Sequence, residues 1–197
     1  MKRQFFSALF LALSSLLIAQ NQYQYQVDLI NVSKDQVKVS LSPPRMDKDE
    51  LVFIMPRVIP GSYSIKDYGR FIKQFTAYDK NGKKLKTKQK NTNEFYIYDA
   101  QAINKIEYLV NDTWDDKDKK KFVFQPGGSN IEAGLNYVIN PHCFFGYFDG
   151  FKMNPFQIEV KKPSEMYGSG NLTKSSKDNI TDIIVAPNYV FLADNPM

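Results

Sequence analysis

Residues 23–29, YQYQVDL, alternate apolar and polar side chains, so that Tyr23, Tyr25, Val27 and Leu29 share one face. This period of two is typical of a strand with one buried face. Similar stretches predict further strands at residues 37–41, 51–55, 75–78, 85–89, 95–98, 106–110, 122–124, 137–139, 156–160 and 183–185. Many short strands with turn residues between them predict an all-β fold, an antiparallel β-sandwich-like domain with little helix.

Turn signals and one apolar run refine this pattern. Residues 51–55 are apolar throughout, which predicts a strand buried on both faces. Asn81-Gly82 lies between two strand-like stretches and predicts a hairpin, because both residues tolerate positive φ. The best helix candidate is residues 65–75, in which apolar residues recur near one helical face. The polar stretch 161–179 predicts a solvated loop.

The N-terminus has the three-part layout of a secretory signal peptide. Lys2 and Arg3 precede an uncharged, mostly apolar run over residues 5–18, and Ala19 is a small residue at the cleavage position. The run is shorter than the ~20 residues that span a bilayer as a helix. We therefore expect residues 1–19 to be removed, no membrane span to remain, and the mature chain to be periplasmic or secreted, in a bacterium.

Composition excludes several classes of protein. The 197 residues include one His and one Cys, which excludes a multi-histidine metal site, a Cys-rich zinc module and a CxxC redox site. The two are neighbours, His142 and Cys143, and adjacent side chains on a strand point to opposite faces, which disfavours a Cys–His dyad. We expect a structural His, no metal site and no cofactor in this chain. The net charge is +5, and without Lys2 and Arg3 the 24 remaining basic residues face 21 acidic ones, too small an excess to indicate nucleic acid as a partner.

Two charged runs and one aromatic run each allow two interpretations. Asp115, Asp116 and Asp118 are carboxylates suited to glycoside hydrolysis or calcium, but interleaved lysines favour a solvated loop. Residues 84–90 carry Lys at every second position, which indicates either a phosphate-binding patch or a protected edge strand; no aromatic residue interleaves, so the edge strand is favoured. Residues 142–151 are rich in aromatics, which stack on a ligand or, as we favour, fill the core and a domain interface.

Three motifs remain, and their order along the chain is informative. Residues 55–70 read MPRVIPGSYSIKDYGR, residues 140–150 read NPHCFFGYFDG and residues 186–197 read APNYVFLADNPM. Together with the FTAYDKNG stretch at residues 75–82, these resemble the N-terminal domain of glycyl aminopeptidase-type zinc metallopeptidases, peptidase family sixty-one. The resemblance implies an all-β N-terminal domain that packs on a thermolysin-like zinc domain. Full-length members are aminopeptidases that prefer small N-terminal residues such as Gly or Ala.

The resemblance stops at the motif that leads into the catalytic domain of the family. No HExxH motif is present in the sequence, so no catalytic residue or zinc ligand is assigned, and zinc is expected only in a full-length relative. The expected organisation is a signal peptide at residues 1–19, the β domain at 20–186 and a junction at 187–197. The expected partners are a missing catalytic domain and, for the full-length enzyme, peptide substrates.

We therefore expect a non-catalytic N-terminal domain of an exported peptidase, which shapes the substrate cleft and is inactive alone. The alternative is a stand-alone secreted β-sandwich module that binds peptide or glycan. The candidate cleft wall is Pro60, Gly61, Ser62 and Tyr63, because Pro-Gly fixes a sharp turn and a Tyr offers a flat face and a hydroxyl. The alternative, that Tyr63 simply packs the loop, is favoured for this residue. The candidate interface residues are Phe144, Phe145, Tyr147, Tyr189, Phe191 and Leu192.

Overall fold

The computed structural model describes residues 21–62, 64–118 and 122–197. The predicted signal peptide at residues 1–19 and the candidate residue Tyr63 lie outside the described residues. Within the described ranges, no helix is both long and apolar enough to cross a membrane.

Strands dominate the described chain, as the sequence predicts. The thirteen strands are β1 (Tyr23–Ser33), β2 (Gln36–Ser42), β3 (Glu50–Ile54), β4 (Ile72–Asp79), β5 (Thr87–Gln89), β6 (Glu94–Tyr98), β7 (Ile103–Asn111), β8 (Asn130–Glu132), β9 (Asn136–Val138), β10 (Tyr147–Phe148), β11 (Phe156–Lys161), β12 (Thr173–Ser176) and β13 (Thr181–Ala186). Two short α-helices, α1 (Pro141–Phe144) and α2 (Tyr189–Ala193), and three 3₁₀ turns, Tyr68–Phe71, Ala100–Ala102 and Gln125–Gly127, complete the fold. The all-β prediction is confirmed.

The strands form two principal sheets. The larger sheet has seven strands in the order β12-β13-β11-β1-β2-β7-β4, and the smaller has four in the order β10-β3-β6-β5. A separate two-stranded sheet pairs β8 with β9. All pairs are antiparallel except β1 with β11, which run parallel with Tyr23 opposite Phe156. This parallel pair joins residues far apart in sequence, so local patterns do not reveal it.

The core lies between the two sheets and is unusually aromatic. The alternation that begins the sequence is borne out, because Tyr23, Tyr25, Val27 and Leu29 are all buried. From the smaller sheet, Phe53 is fully buried, with ring centroids 5.4 Å from Phe75 on β4 and 6.0 Å from Tyr108 on β7. Fully burying such a side chain contributes about 1.5–3 kcal/mol to folding. These aromatic contacts clamp the two sheets together.

The predicted hairpin is only half formed. Gly82 adopts φ 78° in the turn, as the Asn-Gly signal requires, and Tyr78 forms a single bridge to Lys84. The chain then crosses to the other sheet, where β5 pairs with β6 rather than with β4. A turn signal determines where the chain reverses but not the sheet in which the returning strand pairs. Here the pairing of β5 with β6 is longer than the single bridge to β4.

Four other local predictions are corrected. The helix expected over residues 65–75 is a 3₁₀ turn at Tyr68–Phe71 followed by β4, since Tyr68 and Ile72 are buried whereas Ile65 is 53% exposed, so the predicted helical face is not covered as a whole. Residues 122–124 form no strand; Phe122 and Phe124 are exposed beside a 3₁₀ turn. The run 51–55 alternates between buried and half-buried positions, so only one face of β3 is in the core. The predicted loop 161–179 contains the edge strand β12.

Candidate docking groove

The loop that follows β3 contains Pro60, Gly61 and Ser62 and is built around a sharp turn. The Ser62 backbone N–H donates to the Ile59 carbonyl at 3.2 Å, and Gly61 adopts φ 83°. This hydrogen bond closes a four-residue β-turn over residues 59–62. Pro60 is the second residue of the turn and Gly61, with its positive φ, is the third, which defines a type II turn. The Ser62 Oγ also donates to the Ile59 carbonyl at 2.8 Å. The sequence prediction of a Pro-Gly turn here therefore has a direct structural counterpart.

The base of this loop is held by a small polar network. The Asn93 amide Nδ2 donates to Asp67 Oδ1 at 2.8 Å, and the Gly69 backbone N–H donates to Asn93 Oδ1 at 2.9 Å. Arg57 lies 3.6 Å from Asp67, and its carbonyl accepts the backbone N–H groups of Lys66 and Asp67. Gly69 has no room for a side chain, because a Cβ there would lie 2.2 Å from the Thr92 carbonyl. The loop is thus a closed, anchored projection and not a free strand of chain.

The Phe-Gly segment, residues 144–148, is fixed by tyrosine hydroxyls. Tyr108, Tyr189 and Tyr25 donate to the carbonyls of Phe144, Phe145 and Gly146 at 2.7, 2.9 and 2.8 Å. Tyr23 Oη accepts the Phe148 backbone N–H at 2.8 Å.

Each of these four tyrosines is buried, and burial raises the pKa of each hydroxyl well above its ordinary value. We call Tyr23, Tyr25, Tyr108 and Tyr189 the tyrosine cradle. The cradle satisfies buried backbone groups that have no strand partner, which would otherwise cost about 1–3 kcal/mol each.

Helix α2 lies beside this segment and presents one face outward. The Asn188 Oδ1 caps the helix by accepting the Phe191 backbone N–H at 2.9 Å. Tyr189 and Leu192 are buried, whereas Val190 and Phe191 are each 48% exposed. The inner face of the helix, with Tyr189 and Leu192, therefore packs against the core. Its outer face, with Val190 and Phe191, is apolar and partly exposed.

Between the loop and the helix lies a groove of about 300 Å³. Ile59 and Pro60 form one wall, Tyr147 and Tyr189 the floor, and Val190 the opposite wall. The polar residues that line the groove are Arg57, Asn93, Glu94, Lys152 and Asp194.

The groove floor is built from two aromatic rings tilted at 49° to each other. The Tyr147 and Tyr189 rings lie 4.5 Å apart, with Lys152 Nζ 5.4 Å from the Tyr147 ring centroid. We call this feature the docking groove.

The structure separates the sequence-predicted residues into three groups. Pro60, Tyr147 and Tyr189, from three distant parts of the chain, line the docking groove. Gly61, Ser62 and Phe191 are at least partly exposed but are not among the lining residues.

The third group is the core. Phe144, Phe145 and Leu192 are fully buried within this chain, so they contribute to its own core and present no surface to a partner. The sequence alone could not tell these buried aromatics from exposed ones, because the segment follows no simple period. Val58, about half exposed in a groove wall, was not singled out from the sequence.

The segment 187–197, expected to be a junction, packs against this domain. The backbones of Met197 and Ile139 exchange two hydrogen bonds, at 2.8 and 2.9 Å. With Tyr189 and Leu192 buried, these last residues help to complete the core.

His142 and Cys143 hold structural positions on α1. The His142 Nε2 lies 2.8 Å from the Gly127 carbonyl and Nδ1 lies 3.4 Å from the Ala193 carbonyl, while burial lowers the pKa of the imidazole. Burial raises the pKa of the Cys143 thiol to about 12. Because the two residues are on a short helix, not a strand, the reason given above for their divergence is corrected. Both side chains contact the Gly127 carbonyl and not each other, His142 Nε2 at 2.8 Å and Cys143 Sγ at 3.9 Å, which disfavours a dyad.

These residues do not fit the zinc ion that the family resemblance implies for a full-length enzyme. In the described part of the chain, no three His, Cys, Asp or Glu side chains are grouped so as to hold a metal ion. Both nitrogens of His142 already face backbone carbonyls. Of the candidate carboxylates, Asp116 pairs with Arg70 at 2.5 Å and accepts the Asp118 backbone N–H, which ties this charged loop to the 3₁₀ turn before β4.

Taken together, the geometry is that of an all-β domain whose distinctive surface is an apolar groove. The model of the Peptidase M61 N-terminal domain matches residues 24–197. The chain therefore belongs to the family of Peptidase M61 N-terminal domains, which confirms the resemblance seen in the three sequence motifs.

One solved structure supports the same fold, and a second is matched more weakly. An aminopeptidase N family protein from Idiomarina loihiensis matches with a TM-score of 0.73 and 22% identity, over 88% of this chain and 28% of that chain. An M1 zinc metallopeptidase from Deinococcus radiodurans matches with a TM-score of 0.43 and 10% identity, over 89% of this chain and 40% of that chain. The present chain thus spans less than half of the structures it matches. A search of curated proteins found no match.

Proposed function

We propose that this chain is the exported, non-catalytic N-terminal domain of a zinc aminopeptidase and that the docking groove receives the catalytic domain. The observation that carries the proposal is the convergence of Pro60, Tyr147 and Tyr189, which come from three motifs of the family, in one groove. The Idiomarina protein, of which this chain matches 28%, is an aminopeptidase N family protein, and the remainder of such a chain is where a catalytic partner would lie.

The groove has the composition of an interface core. Its walls carry Val58 at 50% exposure and Val190 at 48%, while its floor is a pair of tilted tyrosine rings in contact. Cores of protein interfaces are enriched in aromatic residues, and the ammonium of Lys152 lies 5.4 Å from the centroid of one of these rings. Helix α2 is capped by Asn188 and packed against the core through Tyr189 and Leu192. Little conformational entropy is therefore lost when a partner covers it.

The type II turn at Pro60 and Gly61 gives the proposed cleft wall its shape. The network around Asp67 and Asn93 holds the turn in place from below. In the proposed full-length enzyme, the turn at the rim of the groove limits access to the ends of peptide substrates. The same placement leaves the chemistry to the partner domain, because this chain brings no group of metal ligands together in its described residues.

An Asp substitution in the groove is expected to abolish docking. Val190→Asp places a charge at the centre of the proposed contact, and a hot-spot loss of 2 kcal/mol or more weakens binding by about 30-fold or more. The variant should fold, because Asp in the first turn of a helix interacts favourably with the helix dipole. Val58→Asp on the opposite wall is expected to act alike. The measurement is calorimetric titration of the protein against a separately expressed M61 catalytic domain.

A matched control distinguishes docking from general surface damage. Ile30 on β1 is 48% exposed, the same as Val190, and does not line the groove. Ile30→Asp should therefore leave binding unchanged. Equal loss in the control variant would refute the groove as the docking site. A wild-type protein that binds no catalytic domain would instead favour the alternative, a stand-alone secreted module for peptide or glycan.

The purified protein is expected to show no aminopeptidase activity. His142 and Cys143 are committed to backbone contacts, and three protein ligands are the usual minimum for a catalytic zinc. Release of the N-terminal residue from Gly- and Ala-peptides, measured with metal analysis of the same sample, checks this. Turnover that a chelator removes would show that the chain holds its own catalytic metal.

A further inference from the structure

The exposed side of the smaller sheet carries a row of lysines that the docking groove does not use. Strand β5 is at the edge of that sheet, as the lysine pattern predicted. Lys86, Lys88 and Lys90 are all exposed, whereas Lys84, also exposed, bridges to Tyr78 on β4 of the larger sheet. Residues two apart on a strand are separated by about 7 Å, so the row presents regularly spaced positive charges along one line.

Two tyrosines from the neighbouring strand lie alongside this row. The ammonium of Lys90 lies 4.8 Å from the Tyr96 ring centroid and 2.7 Å from its hydroxyl. The ammonium of Lys86 lies 5.0 Å from the Tyr98 ring centroid. The sequence showed no aromatic residues among the lysines because the rings come from β6, which pairs with β5 in register. We call these side chains, from Lys86 to Lys90 with Tyr96 and Tyr98, the Lys–Tyr face.

The balance of charge on this side of the sheet is positive. Glu94 lies on the same face of β6, and Glu50 pairs with Tyr98 from β3, further from the edge. Two carboxylates therefore face three lysines, and the outermost line at the edge, residues 86–90, carries no carboxylate. Lysines at an edge also oppose aggregation, but that role requires no ordered partner rings.

We propose that the Lys–Tyr face binds a linear acidic polysaccharide along the edge of the smaller sheet. The evenly spaced lysine positions along the strand match a polymer whose carboxylates or sulfates repeat at intervals, and the open edge places no limit on its length. Single-stranded nucleic acid fits this face less well. Proteins that bind it stack its bases on free aromatic rings, whereas the Tyr96 and Tyr98 rings are already covered by lysine ammonium groups.

The test uses heparin as the probe and the full purified protein. The triple variant Lys86→Gln, Lys88→Gln, Lys90→Gln should lower heparin affinity by about tenfold, since exposed ionic contacts contribute modestly and roughly add. All three side chains are exposed, so thermal unfolding should be unchanged. Binding should also weaken as salt is raised, because exposed charge pairs are screened.

A second triple variant removes the same net charge elsewhere. Lys38, Lys105 and Lys177 lie on the larger sheet with side chains 52%, 43% and 63% exposed. Their replacement by Gln should change heparin affinity less than twofold. Equal losses in the two triple variants would overturn the proposal, because net charge alone would then explain binding. Tighter binding of a thirty-residue oligo-dT through the same three lysines would overturn the polysaccharide assignment, and absence of heparin binding would overturn both.

Discussion

Gly146→Ala is expected to destabilise the fold by about 3 kcal/mol, the upper end of the usual cost of overpacking a core. Gly146 lies in the segment that the tyrosine cradle holds, directly before β10. A Cβ at this position would lie 2.5 Å from the Phe53 ring and 2.6 Å from the Ile54 carbonyl oxygen. Side-chain carbons do not approach to these distances, so one of the two neighbours must move.

Neither neighbour can move without cost. The Ile54 carbonyl belongs to the backbone of β3, which is held in the smaller sheet by pairing with both β10 and β6. Phe53 is fully buried, and its ring lies 5.6 Å from that of Phe148 and 6.0 Å from that of Tyr108. A shift of the Phe53 ring therefore disturbs the aromatic contacts that join the two sheets. For a domain of this size, such a loss lowers Tm by roughly 10 °C.

Gly127→Ala provides the matched control. An added Cβ at Gly127 meets no atom within 4 Å, and the residue needs no positive φ. This substitution should change the free energy of unfolding by no more than about 0.5 kcal/mol. Thermal and urea unfolding of both variants gives the comparison. A Gly146→Ala protein as stable as the wild type would mean that the Phe-Gly segment is not packed as tightly as the structure shows.

Much of the fold was predictable because a strand that is buried on one face has a sequence in which apolar and polar residues alternate. The alternation of Tyr23, Tyr25, Val27 and Leu29 gave β1 its inner face correctly, since successive side chains point to opposite sides. The Pro60-Gly61 turn was predictable for a similar reason, because the φ preferences of the two residues are local properties. Both predictions depend only on interactions within a few residues.

The partly wrong predictions concern long-range choices. The Asn81-Gly82 turn was placed correctly, but the strand after it joined the other sheet, a choice made by the available partners and not by the turn. Likewise, the aromatic run that includes Phe144 and Tyr147 was interpreted as filling the core and a domain interface, but the sequence could not assign each residue to one or the other. Only the fold shows that Phe144 is fully buried and that Tyr147 reaches the groove. The rings that accompany the lysines of β5 were invisible in the sequence because they lie on another strand.

Above about pH 10, the protein is expected to unfold steeply as pH rises. Tyr23, Tyr25, Tyr108 and Tyr189 are buried, and desolvation raises the pKa of each well above the value of about 10 for an exposed phenol. In the unfolded chain these tyrosines lose their protons near pH 10, whereas in the folded chain they keep them. The free energy of unfolding is therefore not reduced by these tyrosines below about pH 10, and it falls as the pH rises above that value.

The expected effect is large because the four groups act together. Each contributes about 1.4 kcal/mol of lost stability per pH unit, so the cradle as a whole contributes about 5 kcal/mol per unit. This is a large part of the 5–15 kcal/mol that typically separates folded from unfolded states. Tyr68 adds to the effect, since burial raises the pKa of its hydroxyl as well. Unfolding should therefore be complete within about one to two pH units.

Tyr108→Phe tests whether the cradle is responsible, because it is expected to act in opposite directions on two measurements. At pH 8 the variant should be about 2 kcal/mol less stable, since the buried Phe144 carbonyl loses the donor that lies 2.7 Å away. Above pH 10 it should lose stability less steeply, by about a quarter of the cradle's contribution, since one fewer proton is released on unfolding. Tyr167→Phe is the control, because Tyr167 is 85% exposed and should change neither quantity. Urea unfolding at several pH values, followed together with tyrosinate absorbance, measures both effects. If tyrosinate absorbance from the buried residues appears while the fold is still intact, the hydroxyls do not hold the Phe-Gly segment in the way that their hydrogen bonds indicate.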